Sequence, residues 1–384
     1  MTGGGTGGHI TPLLAVAQEL KSRQIDDVHI VYVGEKGSKF ADLTKDHSLF
    51  DSAYTISAGK FRRYHGESIL TRITDVSTLW LNTRDVFRLV AGFFQSLRLL
   101  KKERPDIVLL KGGFVGVPVG LAAAWLKIPF ITHDSDALPG LANRIVGRWA
   151  RIHATGMPAR FYSYDPSSVA HVGVLLHASY TATSPAAQKA FKKELQLPTD
   201  ATVLFVTGGS LGAQRVNVAV AQLVDKLLES YPSLHIFHQV GKGNVHVYGD
   251  KSHPRLHVYE FLQHMHIYSG AADVIITRAG ANTLAEFGAQ GKACIVVPNP
   301  YLTGGHQLKN AEYLSKLHAI RVVDESSFHA SPNELERVVR ELLDHPTKAR
   351  ALGKTLQEVT ITDATERLSD ILLNETAKDK ASKS

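Results

Sequence analysis

The start of the chain surrounds a single imidazole with glycine: Thr2-Gly3-Gly4-Gly5-Thr6-Gly7-Gly8-His9-Ile10-Thr11-Pro12 runs straight into an amphipathic segment at 13–21. Glycines at this density let the backbone turn tightly and lie against a ligand, and the helix that follows presents unpaired N–H groups. Such a place suits an anion or a polar acceptor. His9 adds a base, because an imidazole of ordinary pKa can take the proton of a hydroxyl that becomes a nucleophile. A second glycine turn, Gly208-Gly209-Ser210-Leu211-Gly212-Ala213-Gln214, offers a hydroxyl and backbone N–H groups, either as an anion site or as a plain helix cap.

Both turns need strands before them and helices after them. Apolar β-rich runs are expected at 28–34, 106–110, 129–133 and 152–155, with helices at 116–126 and 138–149. Short apolar strands alternating with helical segments mark a parallel α/β sheet, so residues 1–173 read as one doubly wound domain. The pattern restarts at 202–207 and continues with strands at 234–240, 274–277, 293–297 and 320–323, giving a second domain over 178–358. Two such sheets are expected to face each other across a cleft at the carboxyl ends of their strands. A polar tail, 377–384, is expected to be disordered.

The glycine turn at the start lacks a strand before it, since only Met1 and Thr2 precede it. The expectation is therefore a central strand upstream, whose absence leaves neighbouring strands with unpaired backbone groups.

Composition narrows the class. The chain has 384 residues, 44% hydrophobic and 21% charged, which fits two soluble globular domains. The one cysteine, Cys294, lies in an apolar run and reads as a buried strand residue, so no disulfide framework is expected. No run of about 18 apolar residues indicates a membrane span, and a cytosolic protein, at most touching a membrane, is expected. Metal motifs, a Gly-x-Gly-x-x-Gly fingerprint in frame and a P-loop are missing, which weakens metalloenzyme, dinucleotide oxidoreductase and ATPase readings.

The net charge of +7 is concentrated between Lys60 and Arg104, where ten Lys or Arg face four acids. Val86, Val90, Phe93, Leu97 and Leu100 fall at helical spacing, broadened by Phe87 and Phe94, and are flanked by Arg84, Arg88, Arg98, Lys101 and Lys102. This face reads either as a core helix or as a surface for anionic lipid. The preceding Phe61-Arg62-Arg63-Tyr64 and the stretch 69–80 favour lipid. No nucleic-acid motif accompanies the charge.

Taken together, the motifs resemble the MurG family of glycosyltransferases in peptidoglycan synthesis. They are Gly4-Gly5-Thr6-Gly7-Gly8-His9, Gly112-Gly113-Phe114-Val115, Gly208-Gly209-Ser210-Leu211-Gly212-Ala213, Glu260-Phe261-Leu262, Arg278-Ala279-Gly280-Ala281 with Thr283 and Glu286, Gln307 with Asn310, and Asp363-Ala364-Thr365-Glu366-Arg367. Their order spans nearly the whole chain. The resemblance implies a GT-B fold of two Rossmann-like domains, with the nucleotide sugar on the second and a last helix, about 361–376, returning to the first. It implies transfer of N-acetylglucosamine from UDP-GlcNAc to the polyprenyl-diphosphate acceptor lipid I, with inversion, no cofactor and no metal, by a peripheral enzyme on the cytoplasmic face of the plasma membrane.

By the same resemblance His9 is the general base, with Asp134 competing or assisting, and Thr6, Gly7, Gly8, Asp136 and Asn143 are substrate-binding. Ser210 and neighbouring N–H groups would hold the diphosphate. Glu286, eight residues after Arg278, would accept both ribose hydroxyls, against the plainer reading of a solvated helix glutamate. Phe261 and Leu262 would enclose the uracil, Arg278 would line the nucleotide site, and Ala281 would offer its backbone to the sugar. Thr283 and His306 join the substrate-binding set, and the Gln307 amide would bond the sugar hydroxyls. The chain departs from the family where His-Glu-Gln-Asn is usual and His133-Asp134-Ser135-Asp136 stands. At the linker, Gly173-Val174-Leu175-Leu176-His177 lacks the usual arginine, and His306-Gln307 replaces two glutamines. A UDP-sugar epimerase or hydrolase, or a non-catalytic UDP-sugar binder, are the rival readings.

Overall fold

The computed structural model describes all residues except 5–6, 25–27, 38–48, 61–75, 210–211, 302, 330–333 and 384. The chain forms two compact units, Met1–His177 with Asp363–Ser384, and Ala178–Thr362.

In the first unit, β1 (Val31–Glu35) pairs in parallel with β2 (Ser52–Ile56). A second parallel run comprises β3 (Val108–Leu110), β4 (Phe130–Asp134), β5 (Ile152–Thr155) and β6 (Val169–His171) in that order. β3 and β4 are buried at every position; β3 accordingly reads as an unbroken apolar run, while β4 also buries the polar Thr132, His133 and Asp134. β2 and β6 escape a sequence reading because their burial is partial and they alternate with polar residues.

Met1 and Thr2 occupy the place between β1 and β3. Thr2 bridges both Val33 and Leu110 in parallel sense. Its N–H donates to the Leu109 carbonyl and its carbonyl accepts from Lys111, while Val33 donates to Met1. The backbone groups expected to be unpaired at that gap are thus paired where these two residues reach.

Helix α1 (Gly7–Ser22) follows the first glycine turn, and α2 (Val76–Glu103) precedes β3. α3 (Gly116–Trp125) follows β3, and the expected helix at 138–149 divides into α4 (Leu141–Val146) and a 3₁₀ turn at Gly147–Trp149. α2 shows how its apolar face is shared. Leu100 is buried and Phe93 and Leu97 pack partly into the core with Val119 and Ala123, whereas Phe87 (71% exposed) and Phe94 (62%) stay outside with Val86 and Val90.

The C-terminal helix Ala364–Lys383 belongs to this unit. Thr365 donates to the Leu176 carbonyl at 3.1 Å, and Arg23, in the turn after α1, pairs with Asp370. The tail expected to be disordered is helical as far as Lys383. Its Ala and Lys residues are good helix formers, it holds no Gly or Pro, and Lys378 pairs with Glu375 one turn earlier at 2.7 Å.

The second unit is a six-stranded parallel sheet in the order β12-β11-β10-β7-β8-β9. Its strands are β7 (Thr202–Thr207), β8 (Leu234–Gln239), β9 (Leu256–Tyr259), β10 (Val274–Thr277), β11 (Ala293–Val296) and β12 (Arg321–Val322). Its helices include α5 (Pro185–Glu194), α6 (Gln214–Ser230), α7 (Met265–Ala271), α8 (Ala281–Ala289) and α9 (His306–Lys316).

The period-2 alternation of β7 sends Leu204 and Val206 to one layer with α6, and Val203 and Phe205 to the other with α8 and α9. Burying Phe205 and Phe287 contributes about 1.5–3 kcal/mol each. The chain leaves β7 toward β8 and β9, then crosses to β10 on the other side. The switch point therefore lies between β7 and β10, where ligands bind in this class of sheet.

Candidate active site

In the first unit the switch point lies between Thr2 and β3, and the two turns that leave it interlock through glycine. A Cβ on Gly113 (φ +77°) would sit 2.1 Å from the Gly4 carbonyl oxygen, and one on Gly3 would sit 2.7 Å from that of His9. The Tyr32 hydroxyl donates to the Gly3 carbonyl at 2.8 Å and fixes the turn from the far side. A Cβ on Gly112 would stand 3.6 Å from the His9 ring, so the imidazole rests directly against the loop after β3.

His9 is half-buried and its ring is hydrogen-bonded to the Gly4 backbone. Its pKa is pushed down to about 4, first by burial and then by the Lys111 ammonium, with Asp136 pulling the other way. The ring is neutral at physiological pH. One nitrogen donates to the Gly4 carbonyl, which fixes the ring's orientation and its tautomer.

Lys111 is the charge that the sequence reading missed. It sits at the end of β3, only 4% exposed, and its Nζ donates to Ser135 Oγ at 2.9 Å. Burial lowers it to about 8 against the pull of Asp134 and Asp136. Its signal in the sequence is a lysine closing an apolar strand immediately before two glycines.

Asp134 is engaged on both oxygens. Oδ1 accepts from the Gly140 N–H at 3.0 Å and from Asn143 Nδ2 at 2.9 Å, and Oδ2 accepts from the Tyr164 hydroxyl at 2.9 Å. Burial raises its pKa against those bonds. In this geometry Asp134 anchors the 134–143 loop rather than facing an open space. Asn143 also donates to the His133 carbonyl at 3.1 Å, and its buried Oδ1 lacks a partner among the described residues. The Asp136 backbone is held by Tyr162, whose hydroxyl donates to its carbonyl at 2.7 Å. Gly7 and Gly8 open α1, and Thr6 lies outside the described residues.

In the second unit, the carboxyl edge of the sheet gathers the remaining candidates, except Ser210, which lies outside the described residues. Gly209 (φ +81°) and Gly212 (φ +74°) make the turn after β7, and the Gly209 N–H donates to Thr207 Oγ1 at 3.1 Å. Helices α6, α8 and α9 all start at this edge, after Ala213, Gly280 and Gly305, without a side-chain cap. Each such start carries the positive end of its helix dipole. Ala281, Thr283 and Glu286 share α8, and His306 and Gln307 open α9.

The Glu286 carboxyl is half-buried and has no hydrogen-bond partner among the described residues. Burial pushes its pKa up to about 8. Tyr180, which the sequence reading also missed, lies close enough for that carboxyl to help burial raise its phenol well above the usual range. After β9, Leu262 is buried while Phe261 is 62% exposed, and Glu260 accepts from the Gly243 N–H at 2.7 Å. Gln307 Oε1 accepts from the Asn299 N–H at 2.9 Å, and its amide nitrogen has no hydrogen-bond partner among the described residues.

Arg278 is committed inside the protein. Its Nη1 donates to the Val297 carbonyl at 3.0 Å and its Nη2 pairs with the buried Glu325, so both ends of its guanidinium brace this edge. Glu325 follows β12, 47 residues away, with no sequence signal linking the two.

The N-terminal domain of glycosyltransferase family 28 matches residues 1–155, and the C-terminal domain of the same family matches residues 203–368. A protein of Geobacter sulfurreducens named UDP-N-acetylglucosamine–N-acetylmuramyl-(pentapeptide) pyrophosphoryl-undecaprenol N-acetylglucosamine transferase is 31% identical over 386 residues, covering 99% of each chain. The like-named protein of Geotalea uraniireducens is 32% identical over 380 residues, covering 98% of each. Among solved structures, Acinetobacter baumannii MurG aligns with a TM-score of 0.69 at 25% identity over 97% of this chain and 98% of that one. The UDP-GlcNAc 2-epimerase of Neisseria meningitidis aligns with a TM-score of 0.64 at 14% identity, over 97% and 99%, a likeness of fold alone. With both domains matched and relatives of this identity spanning its length, the chain belongs to glycosyltransferase family 28.

Proposed function

We propose that this glycosyltransferase moves N-acetylglucosamine from UDP-GlcNAc to a pyrophosphoryl-undecaprenol-linked N-acetylmuramyl-pentapeptide, the reaction named for its relatives. The observation that carries the reading is the neutral His9 ring, oriented by Gly4 and set against Gly112 at the switch point of the first sheet. His9 takes the proton of the acceptor hydroxyl as its oxygen bonds to the anomeric carbon. The bond from that carbon to the diphosphate breaks, UDP leaves with the electron pair, and the configuration inverts. Thr6, Gly7, Gly8, Asp136 and Asn143 surround the acceptor. Ser210 and the N–H groups at the start of α6 hold the diphosphate. Phe261 and Leu262 enclose the base, and Gln307 with Ala281, Thr283 and His306 holds the sugar.

Glu286 is assigned to the ribose, because two hydroxyls would satisfy a half-buried carboxylate that has no partner among the described residues. Glu286→Ala is expected to weaken UDP by about 1.5–3 kcal/mol, the range for a hydrogen bond to a charged group, and a 2′-deoxy analogue much less. Calorimetry with both nucleotides checks this, and equal losses would reject the assignment. Hydroxyl donors favour the ionised carboxyl, so UDP-GlcNAc affinity should strengthen as pH rises toward about 8 and level off above it.

Among the described residues no helix is long and apolar enough to cross a membrane. The lipid acceptor is reached instead through α2, where exposed Phe87, Val90 and Phe94 share one face among Arg88, Arg98, Lys101 and Lys102. Arg62, Arg63 and Arg72 lie outside the described residues. Sedimentation with anionic vesicles is expected, weaker at high salt. Phe87→Ser with Phe94→Ser should reduce it about tenfold or more, since burying a Phe contributes about 1.5–3 kcal/mol when complete and less at an interface. Binding indifferent to lipid charge and to both substitutions would count against this surface.

A further inference from the structure

The loop between β11 and α9 carries an aromatic ring that the donor assignments leave unused. Tyr301 is 70% exposed. Its N–H donates to Asn299 Oδ1 at 2.9 Å, and the Asn299 N–H donates to Gln307 Oε1 at 2.9 Å, so the position of the ring is tied to the amide proposed for the sugar. The Arg215 guanidinium lies 4.7 Å from the ring centroid. Arg215 Nη1 also meets Glu325 Oε2 at 3.1 Å, and the other Glu325 oxygen pairs with Arg278, which holds the Val297 carbonyl at the loop's beginning. The loop is thereby closed into a circuit that runs from Val297 through Arg278, Glu325 and Arg215 to Tyr301.

Arg215 stands in the first turn of α6, where a cation opposes the helix dipole. Its place is explained by what it holds. A guanidinium on one face of a phenol ring fixes the ring and leaves the opposite face open. The strand order supplies the direction. Phe261 follows β9 at one edge, the glycine turn follows β7 in the middle, and Tyr301 follows β11 on the other side. A nucleotide sugar with its base at Phe261 and its diphosphate at the glycine turn extends its sugar toward Tyr301. The axial C–H groups of a pyranose and an N-acetyl methyl group form an apolar patch that packs on such a ring.

We propose that Tyr301, positioned by Arg215, is a specificity-determining residue that stacks on the N-acetylglucosamine ring of the donor. This rests on the donor reading above and deepens it. Titration of UDP and UDP-GlcNAc into the full chain and its Tyr301→Ala, Tyr301→Phe and Arg215→Met forms separates the two. Tyr301→Ala is expected to weaken UDP-GlcNAc about tenfold and leave UDP unchanged. Tyr301→Phe retains the sugar's contribution, and Arg215→Met shows the same split to a smaller degree. Equal loss for UDP and UDP-GlcNAc, no change in either, or a change confined to the KM of the lipid acceptor would each overturn the assignment. Failure of the unaltered chain to bind UDP would overturn the donor reading itself, and this one with it.

Discussion

His9→Ala is expected to lower turnover by roughly 10²–10⁴-fold while UDP-GlcNAc affinity stays almost unchanged. The substitution removes a ring that is neutral, oriented by a backbone carbonyl and placed against the loop after β3. The pH profile separates a base from a structural histidine. A base acts only when unprotonated, and burial together with Lys111 holds His9 down to about 4. The acid limb of kcat, read at saturating UDP-GlcNAc so that donor affinity does not enter, should therefore lie well below 6.5 and the profile should be flat through neutrality. Lys111→Met removes a positive charge that disfavours the imidazolium, so the His9 pKa rises and the acid limb moves to higher pH. Asp134→Asn, by contrast, disturbs a carboxylate that three donors already hold. Its effect should appear first in stability. If Asp134→Asn abolishes turnover in a folded protein while His9→Ala is mild, the base is Asp134.

The largest expected effect on folding comes from Gly212→Ala, with Gly209→Ala as its control. Both glycines have left-handed backbones, at φ +74° and +81°. A side chain there costs about 1–2 kcal/mol from conformation alone. A Cβ on Gly209 meets nothing within 4 Å, whereas one on Gly212 would lie 2.0 Å from the Val240 carbonyl oxygen. That carbonyl cannot easily retreat, because Asn217 Nδ2 holds it at 2.8 Å and Asn244 Nδ2 at 3.1 Å. Overpacking adds about 1–3 kcal/mol, so Gly212→Ala should destabilise by ~2–5 kcal/mol, a large share of the ~5–15 kcal/mol of an ordinary domain. Denaturant unfolding of the two variants checks the difference. Equal midpoints would mean that the turn relaxes freely and that its close approach to Val240 is not needed.

Much of this was legible in the sequence, because glycine turns and apolar strands are local signals. The turns at Gly3–Gly8 and Gly208–Gly212 announce where two sheets hand the chain to a helix, and the runs that become β4, β5, β7 and β10 match their burial. What was illegible depends on partners far along the chain. Nothing in the sequence places Glu325 beside Arg278, or Tyr164 and Asn143 around Asp134. The periodic face of α2 gives no hint of how it divides between the core, which takes Leu100, and the surface, which keeps Phe87 and Phe94. The tail at 377–383 looked disordered because it is polar, yet polarity does not prevent a helix that lacks Gly and Pro.

One measurement reaches the central claim directly: incubation of the chain with UDP-GlcNAc radiolabelled in the sugar and a lipid-linked N-acetylmuramyl-pentapeptide diphosphate, followed by separation of lipid from nucleotide. The expected result is label in the lipid fraction as a β-linked disaccharide, one UDP released for each sugar transferred, and loss of both in His9→Ala. Release of UDP or formation of an epimeric UDP-sugar without labelled lipid would contradict it, as would nucleotide binding with no turnover on the authentic acceptor.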